Sequence, residues 1–242
     1  MGKIIVIGGG AAGMIAAYSA ALTSNEVILL EKNEKLGKKL YITGKGRCNL
    51  TNACDMNVVM ENVVTNSRFL FSAFKKFNNE DIMALVEAKG TGLKKERGNR
   101  VFPVSDHSSD IIKALEKALK DAGVQIRLNT KVESLIVEEN RCSGVIVNGK
   151  RLIADSIIVA TGGMSYQATG SDGDGYRFAK EAGLSVSKLY PSLVPFNVEG
   201  ERVKALQGLS LRNIHAYIYN DKKLVYDEFG EMLFTHFGVS GP

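Results

Sequence analysis

The chain opens with a strand-like run, Lys3-Ile4-Ile5-Val6-Ile7, that empties directly into Gly8-Gly9-Gly10-Ala11-Ala12-Gly13. A helix-compatible segment follows over 14–22. A second apolar run, Val27-Ile28-Leu29-Leu30, then ends on Glu31, eighteen residues after Gly13. Strand, glycine turn, helix, strand and acid in this order point to an α/β unit built around a dinucleotide site, the alternative being a glycine-rich turn in some other α/β protein. Gly8 permits the tight turn, Gly10 lets backbone approach a pyrophosphate, and Gly13 lets the helix pack close to the strand. Glu31 is placed to accept hydrogen bonds from an adenosine ribose. The helix start supplies N–H groups and a partial positive charge for phosphates.

Composition excludes several other classes. With 242 residues, 45% of them hydrophobic, the chain can bury a large core in one or two domains. The net charge of +5 is spread over many lysines, with no arginine-rich block or basic–aromatic repeat, so no nucleic-acid partner is expected. No apolar run is long enough to span a membrane, and the glycines break the first one where a signal peptide would be continuous. A cytoplasmic location without membrane contact is the expectation. Cys48, Cys54 and Cys142 form no C-x-x-C pair, and His107, His215 and His236 are scattered. Neither a disulfide framework, a dithiol relay nor a metal site is expected.

After Glu31 the chain does not pass straight into another βα unit. It runs through a polar, glycine-punctuated stretch, Gly37-Lys38-Lys39-Leu40-Tyr41-Ile42-Thr43-Gly44-Lys45-Gly46-Arg47-Cys48-Asn49-Leu50-Thr51-Asn52. Long irregular segments in compact domains are commonly functional, and Lys35, Lys38, Lys39, Lys45 and Arg47 gather where a phosphate-bearing ligand would lie. The alternative for each lysine is a solvated basic loop, and for Asn49 and Asn52 a turn. Helices are expected over 68–77, with Phe69, Phe71, Phe74 and Phe77 in the core, over 80–89 capped by Asn79, and over 110–122 capped by Ser109.

From Val124 the periodicity becomes strand-like, giving strands over 125–129, 131–138, 143–147, 151–154 and 156–160 with turns at Asn140 and Asn148-Gly149. The last is nearly all apolar, as a buried parallel strand would be, and empties into Thr161-Gly162-Gly163. This order belongs to two-dinucleotide-fold flavoproteins rather than to simple NAD dehydrogenases. Further strands are expected over 192–198, 209–219, 222–226 and 231–234.

These segments together resemble the BaiN/YhiN-like flavoproteins, a family of NAD(P)/FAD-dependent oxidoreductases that includes aminoacetone-oxidase-like members. The resemblance covers essentially the whole chain. Its motifs are the opening loop with Glu31, Thr43–Asn52, Arg100-Val101-Phe102-Pro103-Val104-Ser105-Asp106 and Ala160-Thr161-Gly162-Gly163-Met164-Ser165-Tyr166. Two more are Thr169-Gly170-Ser171-Asp172-Gly173-Asp174-Gly175-Tyr176 and Leu233-Phe234-Thr235-His236-Phe237-Gly238-Val239-Ser240-Gly241-Pro242. Gln167 departs from the proline usual in the family.

The resemblance implies an α/β, Rossmann-like FAD-binding domain over 1–190, of the two-dinucleotide-fold type, and the start of an inserted β-rich domain over 191–242. It implies FAD as cofactor, a small-molecule substrate, and NAD(P)H or oxygen as redox partner. The implied cofactor contacts are Gly8, Gly10, Ala11, Ala12 and Gly13, then Glu31 and Lys32. They continue with Lys38, Lys39, Thr43, Gly44, Gly46, Arg47, Cys48 and Asn49, then Val132 at adenine, and Ala160, Thr161, Gly162 and Gly163. Cys48 reads as buried packing rather than a redox group, because no partner cysteine is placed to resolve it. No catalytic base is named; His107, Tyr166 and His236 are the polar candidates, and each reads as structural first. The family continues beyond Pro242, so a truncated or split chain is expected, completed by self-association or a missing C-terminal half. Its alternative function is an inactive FAD- or ADP-binding fragment.

Overall fold

A computed structural model describes residues 2–241. The chain divides into two units, 1–186 and 187–242. In the first, β1 (Lys3–Ile7), α1 (Ala11–Ala21) and β2 (Glu26–Leu30) follow one another without interruption. There follow β3 (Thr51–Asn52), α2 (Met56–Glu61), α3 (Ser67–Lys76), α4 (Asn79–Ala88), β4 (Leu93–Glu96), β5 (Arg100–Pro103) and α5 (Ser108–Asp121). Next come β6 (Gln125–Arg127), β7 (Val132–Glu138), β8 (Arg141–Val147), β9 (Lys150–Ile153), β10 (Ser156–Val159) and α6 (Asp174–Glu181).

The parallel sheet runs β10-β1-β2-β6. After their first residues, Lys3 and Glu26, its two central strands are apolar throughout because both faces are covered. Val6, Val27 and Leu29 face a cluster with Met14, Ala17, Ile111, Leu115 and Leu119 of α1 and α5. Ile5, Ile7, Ile28 and Leu30 point the other way, onto Val132, Val145, Ala154 and Phe178. That second face is closed by the antiparallel sheet β7-β8-β9. A further antiparallel sheet, β3-β5-β4, follows the irregular stretch after β2.

Several expectations change. β10 is parallel but lies at the sheet edge, and Val159 is 41% exposed, so its apolar composition does not reflect full burial. The cap of α4 is Asn78, whose side chain accepts from the Glu80 and Asp81 N–H groups in a capping box. Asn79 is instead buried inside the first turn, donating to the Asn52 and Cys54 carbonyls. Helix α5 starts one residue before Ser109, with His107 at the cap position.

Phe69 and Phe71 are exposed rather than core. The half-buried stripe of α3 runs through Leu70 and Phe74 toward Phe77, and each neighbour of Leu70 stands about 100° off it. β3, β4, β5, α2 and α6 were not expected, being short or non-periodic. The stretch after β2 holds a 3₁₀ segment, Leu40–Gly46, broken at Thr43, Gly44 and Lys45.

The second unit holds β11 (Phe196–Asn197), α7 (Glu201–Ala205), β12 (Ser210–Asn220), β13 (Lys223–Phe234) and β14 (Gly238–Ser240). They form one antiparallel sheet in the order β11-β14-β13-β12. The two runs expected over 222–226 and 231–234 are one continuous strand, and the run expected over 192–198 shrinks to two residues.

The close approach of α1 to β1 rests on Gly13. A Cβ there would overlap the Gly8 carbonyl oxygen, and Gly8 itself has φ +103° with its own Cβ position 2.5 Å from the Ala160 oxygen. Gly13→Val is expected to lower the unfolding free energy by about 3 kcal/mol or more, through overpacking that backbone cannot relieve. Urea denaturation checks this; a variant as stable as the parent would show that α1 can move off β1 without loss.

Candidate functional site

The first glycine loop is held from three sides. The Gly8 N–H donates to the Leu30 carbonyl at 2.8 Å, the Ala160 N–H to the Ile7 carbonyl at 2.8 Å, and the Gly37 N–H to the Gly9 carbonyl at 2.8 Å. Glu31, only 6% exposed, reaches back from the end of β2. Its Oε2 accepts from the Gly9 N–H at 2.6 Å, and its Oε1 accepts from the Asn33 N–H at 2.8 Å and the Asn33 Nδ2 at 2.7 Å. Gly10 is the cap residue of α1 and provides no side-chain acceptor, and the first turn of α1 holds no acid. The leading N–H groups of this helix therefore have no intrahelical or capping partner and carry the positive end of the dipole.

Above this loop lies a cavity of about 660 Å³. Its floor is Gly8–Ala12, one wall is Glu31, Lys32 and Asn33, and another is Val159–Gly162. Lys38, Lys39, Leu40 and Thr43 line a third side, Thr130 and Val132 a fourth, and Thr169, Gly170, Ser171, Asp174, Gly175, Tyr176 and Phe178 the remainder. A Cβ on Gly10 would meet nothing within 4 Å, so this glycine opens into the space instead of packing against protein.

The residues anticipated from sequence separate into two groups. Gly8, Gly10, Ala11, Ala12, Glu31, Lys32, Lys38, Lys39, Thr43, Val132, Ala160, Thr161 and Gly162 line the cavity. Gly13, Gly44, Gly46, Arg47, Cys48, Asn49 and Gly163 do not. Gly13 lies under the loop, and Gly44 packs on Asn49 and the Phe102 ring. Cys48 is fully buried in the core beside Val86 and Ile111, and burial pushes its thiol pKa up, which keeps it protonated and unreactive.

Arg47 is occupied elsewhere. Its guanidinium pairs with Glu96 and with Asp106, the latter at 2.7 Å, and lies 4.1 Å from the centre of the Phe102 ring. Lys94 joins the same cluster, 2.6 Å from Asp106. These bonds tie the 3₁₀ segment to β4 and β5, so Arg47 positions the loop whose other side faces the cavity. His107, Tyr166 and His236 are not among the lining residues either.

The lining residues that sequence reasoning passed over are mainly Asn33, Thr130 and the stretch from Thr169 to Phe178. The glycines around Asp172 and Asp174 were the available signal. Lys32 links that stretch to the end of β2, with its Nζ 2.7 Å from Asp172 and 3.0 Å from Asp174. Burial opposes the charge on Lys32, but the hydrogen bonds it donates to the two carboxylates outweigh it and hold its pKa above the ordinary lysine value. For Asp174 burial again opposes ionisation, and the bonds from Arg177 and Lys32 prevail, keeping it below the usual carboxylate range.

Residues 2–240 match the HI0933-like protein Rossmann domain. The chain belongs to this family. The HI0933-like Rossmann domain is a FAD-binding one, and the cavity meets that requirement with an open Gly10, an uncapped helix start and a buried acid at the end of β2. The chain is 32% identical to the 3-dehydro-bile acid delta(4,6)-reductase of Clostridium scindens, over all of its own length and 58% of the relative's. It is 30% identical to the ribosomal RNA dihydrouridine synthase of Escherichia coli, over 98% of this chain and 58% of that protein. The chain thus spans a little over half the length of these relatives. Among solved structures, a flavocytochrome c3 fumarate reductase in its open conformation matches 88% of this chain and 47% of its own, with a TM-score of 0.55 at 22% identity. The shared fold is therefore that of this HI0933-like domain. Among the described residues no helix is long and apolar enough to cross a membrane, and no group of three or more His, Cys, Asp or Glu side chains is arranged to hold a metal.

The Arg47 cluster generates a pH prediction. Hydrogen bonds from Lys94 and Arg47 hold the Asp106 carboxyl below its ordinary pKa. A depressed carboxylate contributes stability that is present above its unfolded pKa, about 4, and lost as pH falls through the lower folded value. Acid titration below about pH 4 is expected to release the 3₁₀ segment from β4 and β5 before the parallel sheet melts. Amide hydrogen exchange over 40–47 checks it. In Asp106→Asn that segment is already loosened at neutral pH, and the acid step is diminished.

Proposed function

We propose that this chain is the cofactor-holding part of a FAD-dependent oxidoreductase that adds hydrogen to a carbon–carbon double bond, with NAD(P)H as electron donor. The observation that carries the cofactor reading is the Glu31 carboxylate. It closes the glycine loop through Gly9 and still lines the cavity. A carboxylate offers about four acceptor positions, and protein donors fill three of Glu31's, leaving room on Oε2 for one ribose hydroxyl. The leading N–H groups of α1 suit the pyrophosphate, and Val132 borders the adenine end.

Bound FAD supplies hydride transfer, which side chains alone do not perform. The protein's own part is to bind the dinucleotide, fix its orientation and exclude water. Glu31, Lys32 and Asn33 hold the opening glycine loop in register with a second glycine segment, residues 169–175, and Val159, Val132 and Phe178 give the cavity an apolar lining. The reaction class is carried over from two relatives, one named for reducing a 3-dehydro-bile acid across delta(4,6) and one for forming dihydrouridine in ribosomal RNA. Both names denote hydrogenation of a double bond. The second also brings RNA among the substrates to test, against the expectation from charge pattern alone.

The test begins with colour. The purified chain, given FAD and desalted, is expected to retain about one flavin per chain and to bleach anaerobically with NADH or NADPH. Reoxidation by a steroid enone or by a uridine-containing RNA then assigns the substrate class. A chain that takes up no FAD contradicts the cofactor reading, and bound FAD that neither donor bleaches contradicts the electron-donor assignment. Glu31→Ala is expected to weaken FAD binding by roughly 1–3 kcal/mol, the scale of a lost charge-assisted hydrogen bond. Unchanged affinity by fluorescence titration would remove Glu31 from the ribose contact.

A further inference from the structure

Lys32 was expected to meet the cofactor, yet its ammonium is turned onto protein. It stands between Asp172 and Asp174, both about 140 positions away in sequence; Lys32 and Asp174 line the cavity, and Asp172 follows the lining residue Ser171. The packing around it is tight. A Cβ on Gly170 would lie 3.2 Å from the Lys32 Cε and 2.6 Å from the Asn33 Nδ2, and Gly170 has φ +99°, so the second glycine segment is shaped to press against this side chain. Asn33 adds a bond to the Thr169 carbonyl at 3.3 Å. Asp174 is further bound by Arg177 at 2.9 Å, and Arg177 in turn reaches the Glu133 carbonyl and Glu181.

The electrostatic consequence follows from the ligand. A pyrophosphate is doubly anionic, and Asp174 in the cavity wall with Asp172 beside it would repel it if the Lys32 charge were absent, since Arg177 offsets only Asp174. We propose that Lys32 is a positioning residue: its ammonium neutralises Asp172 and Asp174 and draws the second glycine segment onto the wall, making the cavity acceptable to an anionic dinucleotide. This rests on the FAD reading above. In this assignment Lys32 acts through the two aspartates and is not itself a phosphate ligand. The aspartates are a load that the lysine cancels, not contacts on which binding depends.

The experiment measures FAD affinity by flavin fluorescence in the 242-residue chain, for the parent, K32M, K32R, D172N/D174N and K32M/D172N/D174N, with thermal melting followed in parallel. K32M keeps the aliphatic stem and removes the charge. It is expected to weaken FAD binding roughly tenfold, the scale of leaving a partly buried charge unpartnered. Raising the salt concentration should recover part of that loss, because salt screens a repulsion and would only weaken a direct lysine–phosphate attraction. K32R should stay near the parent, and the triple variant should regain most of the affinity lost in K32M.

Parent-like binding by K32M overturns the proposal. So does a folded triple variant that binds as weakly as K32M, since that would make the lysine a direct contact. If K32M does not fold, D172N/D174N decides the matter: with the lysine retained, FAD binding should hold or tighten, and a tenfold loss would make the aspartates contacts themselves. A parent chain that binds no FAD removes the cofactor reading and this inference with it, whereas a binding parent with an indifferent K32M removes the inference alone.

Discussion

The site depends on one hydrogen-bonded carboxylate at the end of a strand. β2 stops at Leu30, and the next side chain turns back under the glycine loop, where Glu31 accepts from the Gly9 N–H. The same residue's N–H donates to Arg127 and its carbonyl accepts from Thr130, so Glu31 also fixes the segment that follows β6. A buried acid without partners would be costly, and here three donors meet it. Because the loop, β2 and the end of β6 share this residue, none can shift alone. The narrow spacing of Gly8, Gly13 and Ala160 is possible only while the loop is held in that place.

How far the sequence could be read follows the range of each interaction. Lys3–Ile7 and the helix after it were legible because alternation, glycine spacing and helical composition are local signals. The hairpin turns at Asn140 and Asn148 were legible for the same reason, and both residues adopt the positive φ that asparagine tolerates. The cap of α4 was missed by one position because Asn78 and Asn79 are chemically identical. Only the tertiary contacts to Asn52 and Cys54 give Asn79 a buried role. The edge position of β10 was illegible for a related reason, since strand composition records apolarity and not the number of neighbours.

Arg47 and Lys32 show the same limit in the site itself. Each was recognisable as a cation near an expected phosphate. Neither could be paired from sequence, because Glu96 and Asp106 lie 49 and 59 residues from Arg47, and Asp172 and Asp174 lie 140 and 142 from Lys32. In both cases long-range carboxylates claim the charge. One cation becomes a brace for the loop behind the cavity, and the other a clasp between its walls.

Lys38 and Lys39, the other lysines of the cavity lining, are also held by protein groups, and this alters the electrostatic account of the pocket. Lys38 bonds Glu34 at 3.1 Å, and Lys39 bonds the Ser165 carbonyl at 2.8 Å. The charged side chains Glu31, Lys32, Lys38, Lys39 and Asp174 are thus each engaged by protein groups, charged or neutral. What stays oriented toward a phosphate is backbone: the leading N–H groups of α1, with no acid in its first turn and no side-chain cap at Gly10. A fixed backbone dipole needs no side chain to be ordered when ligand arrives, so it holds an anion without the entropy loss of fixing a flexible lysine. The basic residues after Glu31 therefore matter less as a phosphate cradle than as ties that keep the glycine loop, the 3₁₀ segment and the second glycine segment at the spacing a dinucleotide requires.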